Sequence, residues 1–264
     1  MADEILTRAD QDGIATLTLN APKTLNVLSD AMLAALQAQI DALSEDRATR
    51  VVVLRGSGRA FCAGHDLREM TASRQAADGG AAAFKDLFDR CARMMMGLQA
   101  LPQPVIAEVH GIATAAGCQL VATADMAVAA EGTRFGVNGV NIGLFCSTPM
   151  VALSRNIPRK QAFEMLTTGE MIDATRAQEV GLINKVVPAE DLSSETAALA
   201  ARVAEKRGEV VAIGKRAFYE QAQMPLAEAY AYTGDVMVQN MAFRNTEEGI
   251  AAFLDKRPPN WTEE

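Results

Sequence analysis

The chain has 264 residues, which at about 150 residues per domain argues for one large domain, or one domain with a small appendage. Hydrophobic residues make up 49% and charged residues 22%, which excludes wholesale disorder. The formal net charge of -8 excludes a general nucleic-acid binder, and any anionic ligand must find a local basic cluster.

The start, Met-Ala-Asp-Glu, is acidic and no apolar run follows, unlike a secretory signal or an Arg-rich transit peptide. Residues 13–20 (GIATLTLN) alternate, with Ala15, Leu17 and Leu19 on one face and Thr16 and Thr18 on the other, which predicts a half-buried strand ended by Pro22. Ser29 is placed to cap a helix over 30–44, whose stripe is Met32, Leu33, Leu36, Ile40 and Leu43. VVVLRG (51–56) reads as a buried strand. This alternation of strand and helix predicts an α/β fold with a parallel sheet.

Small and polar residues at 71–82 predict a mobile loop. A helical stripe from Phe84 to Leu101 follows and stops at Pro102 and Pro104. A strand at 104–111, a small-residue helix at 114–124 and a strand at 126–130 come next. Residues 135–154 carry no charge over a length that could span a bilayer, but their Gly, Asn, Ser, Thr and Pro content predicts buried irregular structure and no membrane span. After Pro158 the pattern is helical except at 183–187, with candidates at Ala197–Lys206, Val210–Gln221 and Leu226–Arg244, punctuated by Gly208, Pro225 and Gly249. The change from α/β to all-α divides the chain into 1–200 and 201–264.

Four cysteines (62, 91, 118 and 146) form no C-x-x-C pair, and the only histidines are His65 and His110. No disulfide framework and no metal site are expected, and the cysteine usage suits a reducing cytoplasm.

Two segments carry candidate chemistry. RAFCAGHDLREM (59–70) runs from a strand through a Gly turn into a helix start. The backbone N–H after Gly64 can project into a cavity and bind an oxyanion. VHGIATAAGCQL (109–120) repeats the pattern with small side chains that let a ligand approach the backbone. Tight helix–strand packing is the plainer reading of either turn alone. Two such turns at the ends of two strands can aim their donors at one oxygen.

These segments resemble the crotonase (enoyl-CoA hydratase/isomerase) superfamily. The resemblance also rests on PKTLNVL (22–28), FG (135–136), LTTGEMIDATRAQEVGLINKVVP (166–188) and AFLDKR (252–257), and so covers nearly the whole chain. It implies a crotonase-like ββα spiral core with a C-terminal helical region that self-associates as a trimer or a dimer of trimers. It also implies an acyl-CoA thioester as the bound partner, with coenzyme A entering only as part of the substrate. Carried over by motif, the N–H groups of His65 and Ala116 hold the thioester oxygen and stabilise an enolate. Lys23, Leu25, Ala63, Gly64, Asp66, Leu67, Arg68, Gly111, Ile112 and Lys256 fall on substrate-binding positions.

Working hydratases of the superfamily place two glutamates around the bound water. Those positions fall on Gln119, which cannot ionise, and Gly139, which has no side chain. An acid or base contributes about 10²–10⁴ in rate, so hydration, the family default, should be slow here. The stretches GHDL (64–67) and GVNIGLFCSTP (139–149) are similar to a subgroup sharing this loss. Isomerisation, thioester hydrolysis, decarboxylation and non-catalytic acyl-CoA binding all stay open. A protease of the related spiral fold lacks a Ser–His–Asp set.

Replacements for the lost acids are few. Asp66 and Glu69 suit helix capping as well as chemistry. The His65 ring titrates in a useful range, though its N–H alone could be what matters. Cys146 lacks an evident base. Asn138, Asn141 and Ser147 could orient a water. For the phosphates of CoA the cationic candidates are Lys23, Arg59, Arg68, Lys256 and Arg257.

Overall fold

The structure, a computed structural model, describes residues 4–262. The first three residues of the acidic start lie outside them.

Strands β1 (Leu6–Gln11) and β2 (Ile14–Leu19) form an antiparallel hairpin with Leu6 opposite Leu19. Asp12 and Gly13 turn it with φ of 51° and 76°, the left-handed pair that suits strand twist. Only Leu6 of β1 is buried, so its mostly polar sequence carries no alternation, and the strand was not anticipated. Helix α1 (Asp30–Glu45) begins where Ser29 accepts a hydrogen bond from the Met32 amide at 3.2 Å, and it buries the expected stripe.

The chain continues through β3 (Val51–Gly56), α2 (Leu67–Ser73), α3 (Ala81–Ala100), β4 (Val105–Val109), β5 (Ile112–Thr114) and α4 (Ala116–Thr123). Then follow β6 (Met126–Ala130), β7 (Arg134–Gly136), α5 (Pro149–Asn156), α6 (Arg159–Thr168), β8 (Ile172–Asp173), α7 (Ala174–Glu179), β9 (Lys185–Val187) and α8 (Leu192–Ala204). The larger sheet has the order β1-β2-β3-β4-β6-β9, parallel beyond the hairpin, and the smaller one β5-β7-β8. Successive β4-β5-α4 and β6-β7-α5 units give one strand to each sheet and then a helix, which is the ββα spiral the resemblance implied.

Both faces of the larger sheet are covered, as parallel strands require. On β3, Val52 and Leu54 join the main core with the buried faces of α1, α3 and α4, while Val51 and Val53 pack with Ala200 and Ala204 of α8. The segment between β3 and α2 and the β4–β5 turn running into α4 carry the candidate site.

Several expectations are corrected. The expected loop at 71–82 is taken up at its ends by α2 and α3. Residues 135–154 are not uniformly buried or irregular. Helix α5 occupies 149–156, and Ile142, Leu144 and Phe145 are exposed. The helix expected over 226–244 is α10 (Leu226–Met241), and α11 (Arg244–Asp255) runs through Gly249. Gly249 is no break because Trp261 packs there: a Cβ would lie 3.0 Å from the indole ring.

The backbone divides into two compact units, one ending at Ala204 and one beginning at Glu205. The second contains α9 (Gly208–Gln221), α10 and α11. It is braced by buried Asn245, whose amide donates to Glu209 at 2.9 Å and to the Thr262 carbonyl at 3.0 Å. Among the described residues no helix is long and apolar enough to cross a membrane.

Candidate functional site

The two Gly turns of the sequence are stitched together by backbone. The Phe61 amide donates to the His110 carbonyl and the Cys62 amide to Ile112, both at 3.1 Å, and the Thr114 amide donates back to Cys62 at 3.0 Å. Gly117 allows this approach: a Cβ there would lie 2.1 Å from the Cys62 carbonyl oxygen. On the other side, Ala63 donates to Leu25 at 3.1 Å, and Leu28 donates to the Gly64 carbonyl at 2.7 Å.

Gly64 adopts φ +90°, and a Cβ on it would sit 2.9 Å from the Ala115 methyl and 3.4 Å from the Ala116 nitrogen. The two turns therefore approach too closely for a side chain at Gly64, with α4 beginning at Ala116 and α2 two residues after His65, at Leu67. Ala115 has φ 51° and ψ -120°, and its amide is held by the Gly136 carbonyl at 2.9 Å. A non-glycine residue held this way costs about 1–3 kcal/mol, a strain typical of sites where a backbone group must be aimed. Neither the His65 nor the Ala116 amide donates to a protein acceptor among the described residues.

The remaining candidates divide between this centre and its surroundings. Ala63 and Gly64 form the turn, and Leu25 anchors it. Asp66 caps α2 by accepting from the Arg68 amide at 2.8 Å and the Glu69 amide at 3.4 Å. Leu67 and Arg68 are exposed on the first turn of α2, and Lys23 is exposed on the short 3-10 turn Pro22–Thr24. Gly111 starts the second turn, its carbonyl accepting from Arg134 at 2.8 Å, and Ile112 follows partly exposed. Lys256 lies in the second unit, at the left-handed end of α11. Arg257 is committed to Glu248 at 2.6 Å, which sets it apart from Lys256 as a phosphate ligand.

At the two positions where the resemblance implies glutamates, Gln119 sits on α4, one turn after Ala116, with Oε1 buried and unpartnered. Gly139 does more than lack a carboxylate. A Cβ there would meet the Leu144 carbonyl oxygen at 2.3 Å and the Cys146 sulfur at 2.8 Å. Leu144 closes the loop by donating to the Gly139 carbonyl at 3.0 Å. The position is filled from within, so no side chain fits without moving the 139–146 loop.

The proposed substitutes are mostly occupied. Glu69 accepts from the Asp30 amide at 2.8 Å, Asn138 accepts the Thr114 hydroxyl at 2.7 Å, and Asn141 donates to Gly169 at 3.2 Å. Burial raises the Cys146 thiol, against a backbone hydrogen bond from Gly139, so it is no ready nucleophile. Burial likewise pushes Cys62 and Cys118 up to about 12.

One positioning residue escaped the sequence reading. Asn26 is fully buried with φ 54°. Its amide donates to the Ser57 and Ala60 carbonyls, each at 2.8 Å, and its Oδ1 accepts from Ala21 at 2.9 Å. It ties the 21–28 loop to the 57–60 segment that leads from β3 toward Gly64. The signal available was a polar residue within PKTLNVL, a short apolar-flanked stretch.

A profile of the family described as "Enoyl-CoA hydratase/isomerase" matches residues 9–264. The chain is 47% identical over 255 residues to human "Enoyl-CoA hydratase domain-containing protein 3, mitochondrial", covering 96% of this chain and 82% of that one. The Xenopus laevis protein of the same name is also 47% identical, over 96% of this chain and 84% of its own length. A crystal structure of enoyl-CoA hydratase from Mycobacterium smegmatis superposes with a TM-score of 0.94 at 50% identity, covering 98% of this chain and 99% of that one. The cytoplasmic expectation is corrected here, because the vertebrate relatives are named mitochondrial. Four free, buried cysteines fit any reducing compartment and could not discriminate. With its ββα spiral and its motifs in register, the chain belongs to the enoyl-CoA hydratase/isomerase family of the crotonase superfamily and is similar to the domain-containing protein 3 subgroup within it.

Proposed function

We propose that this protein binds acyl-CoA thioesters and stabilises the thioester enolate between the amides of His65 and Ala116. The observation that carries the reading is the pair of acceptor-free N–H groups on two turns that touch through Gly64. Donors fixed in place before the reaction need no reorganisation as charge develops on the oxygen, and one such donor contributes about 10²–10³ in rate. Lys23, Arg68 and Lys256 supply exposed positive charge for the CoA phosphates, while Leu25, Ala63, Asp66, Leu67, Gly111 and Ile112 frame the turn region. Coenzyme A enters as part of the substrate, and no separate cofactor is invoked.

Hydration by the paired-glutamate route is not the activity proposed. Gln119 and Gly139 leave that route without acid or base, and the 139–146 loop fills the second position. The chemistry favoured is proton transfer at the carbon next to the thioester, the step shared by isomerisation and decarboxylation. The same observation favours a second reading, a non-catalytic acyl-CoA binding protein that kept the pocket and lost its acids.

Self-association as a trimer or dimer of trimers belongs to this proposal. Leu226, Tyr230, Phe253 and Leu254 on α10 and α11 are each more than 70% exposed, which is costly for a free surface and suits contact with further copies. Sedimentation of the purified chain reads the stoichiometry directly.

The test pairs calorimetric binding of a saturated acyl-CoA with turnover of a short enoyl-CoA followed by its ultraviolet absorbance. Binding with hydration several orders of magnitude below a working hydratase supports the reading. Absence of acyl-CoA binding rejects it, and hydration at a working hydratase's rate rejects the argument from Gln119 and Gly139.

A further inference from the structure

The two donor amides belong to different segments, and their spacing is set by the contact between those segments. That contact is a short ladder. The Phe61 amide donates to the His110 carbonyl, Cys62 and Ala113 form an isolated parallel bridge, and the Thr114 amide donates back to Cys62. At one end stand the donors, where a Cβ on Gly64 would lie 2.9 Å from the Ala115 methyl. At the other end the chain turns at Gly58 and Arg59, and the backbone rungs stop.

A side chain closes that open end. Nε2 of His110 lies 2.8 Å from the Gly58 carbonyl oxygen. A carbonyl only accepts, so Nε2 carries the hydrogen and donates it. His110 therefore grips the 58–61 turn twice, with its ring on Gly58 and its own carbonyl on Phe61.

The surroundings make the ring bond matter. On one side the turn is fixed to the 21–28 loop. Asn26 donates to the Ser57 and Ala60 carbonyls, and Gly58, at φ +77°, lies against Pro22, where a Cβ would stand 2.5 Å from the proline Cβ. On the other side Gly111, at φ +64°, lets the second segment come so close that a Cβ would stand 2.1 Å from the Arg59 carbonyl oxygen. Close approach alone does not hold two segments together. The Asn26 bonds are wholly or partly buried, whereas the ring bond lies at the surface, where the end of a ladder frays most easily once a rung is lost.

We propose that the His110 ring is a positioning residue for the acyl-CoA site. By donating from Nε2 to the Gly58 carbonyl it locks the segment that carries the His65 amide to the segment that carries the Ala116 amide. It thereby sets the spacing of the two donors around the thioester oxygen. The proposal rests on the acyl-CoA reading above. From Gly58 the chain runs through Phe61 and Cys62 to Gly64, and from His110 through Ile112 and Thr114 to Ala115, so slack at the His110 end passes along both sides of the ladder. Donors must stay within about 0.5 Å of their working geometry to keep their effect, so a small displacement suffices.

The test uses the full chain and an acyl-CoA isotope-labelled at the thioester carbonyl carbon, followed by carbon NMR. Two donors draw electron density onto the oxygen, so in the wild type the bound carbonyl carbon should resonate downfield of the free ligand. His110→Ala should return that resonance part of the way to its free position while calorimetric binding persists. His110→Gln, whose terminal amide N–H reaches about as far as Nε2, should restore the wild-type position. A His110→Ala protein that melts lower but keeps the wild-type resonance has lost only structure, and overturns the proposal. So does a His110→Gln resonance displaced as far as that of His110→Ala, because the donor would then not be what matters. Nitrogen NMR of the wild type should show the neutral His110 ring with its hydrogen on Nε2. A ring carrying that hydrogen on Nδ1 overturns the proposal whether or not the variants fold. Absence of acyl-CoA binding, or a bound carbonyl left at its free position in the wild type, overturns the two-amide reading and the proposal with it.

Discussion

Placing a carboxylate at each of the two proposed acid positions, one at a time, should have opposite outcomes. Gln119→Glu replaces one planar group by another of nearly equal shape, at a site where Oε1 is already buried without a partner. The fold should tolerate it, and burial should raise the new carboxyl above the ordinary carboxylate range. Gly139→Glu is different. Its Cβ would stand 2.3 Å from the Leu144 oxygen and 2.8 Å from the Cys146 sulfur, and the first of these is backbone. Overpacking of this kind costs about 1–3 kcal/mol. At about 2–4 °C per kcal/mol for a chain of this size class, the midpoint should fall by roughly 2–12 °C. The assay is thermal unfolding of both variants beside hydration of a short enoyl-CoA. Gln119→Glu should keep its midpoint and gain a slow hydration rate, whereas Gly139→Glu should lose stability and gain none. A Gly139→Glu protein that melts with the wild type and hydrates the substrate would refute the packing argument, because the loop would then have room for the missing acid.

Three further outcomes are expected. Asn26→Ala strips three hydrogen bonds of 2.8–2.9 Å from a fully buried brace, and at about 1 kcal/mol each it should cost roughly 3 kcal/mol in chemical denaturation; a change near zero would remove Asn26 from the scaffold. Lys256→Ala should weaken CoA binding about tenfold to a hundredfold at low salt, with the difference shrinking as salt rises, and an unchanged calorimetric Kd would take it out of the site. Arg8 at 2.6 Å and the Thr49 hydroxyl hold Asp46 down from 3.8 to about 2. The native carboxylate binds fewer protons than the unfolded one, so this contribution is present above 3.8 and lost as pH falls toward about 2. Asp46→Asn should therefore be less stable than the wild type near neutrality, by up to about 2 kcal/mol, and the gap should close in acid. A gap that is constant across that range would contradict the assignment.

The residues differ in how much they disclose before folding. Where burial follows a period, the sequence is explicit: Met32 to Leu43 write out the inner face of α1, and Val51 to Leu54 write out a strand covered on both sides. Strand β1 is silent because five of its six positions are not buried. Gly249 reads as a helix break only because the residue that packs on it, Trp261, is twelve positions away. At the candidate site the motif positions of His65, Ala116, Gln119 and Gly139 were legible through resemblance. What was not legible is contact: that Gly139 is roofed by Leu144 and Cys146, and that Asn26 pins the adjoining loop. Each depends on residues brought together by the fold rather than by spacing.

A crystal structure with a bound acyl-CoA, or a non-hydrolysable analogue keeping the carbonyl, addresses the central claim most directly. The account predicts the thioester oxygen within about 2.7–3.1 Å of both the His65 and the Ala116 nitrogens. An oxygen held by one amide alone, or a ligand seated with its carbonyl away from the Gly64 turn, would contradict it.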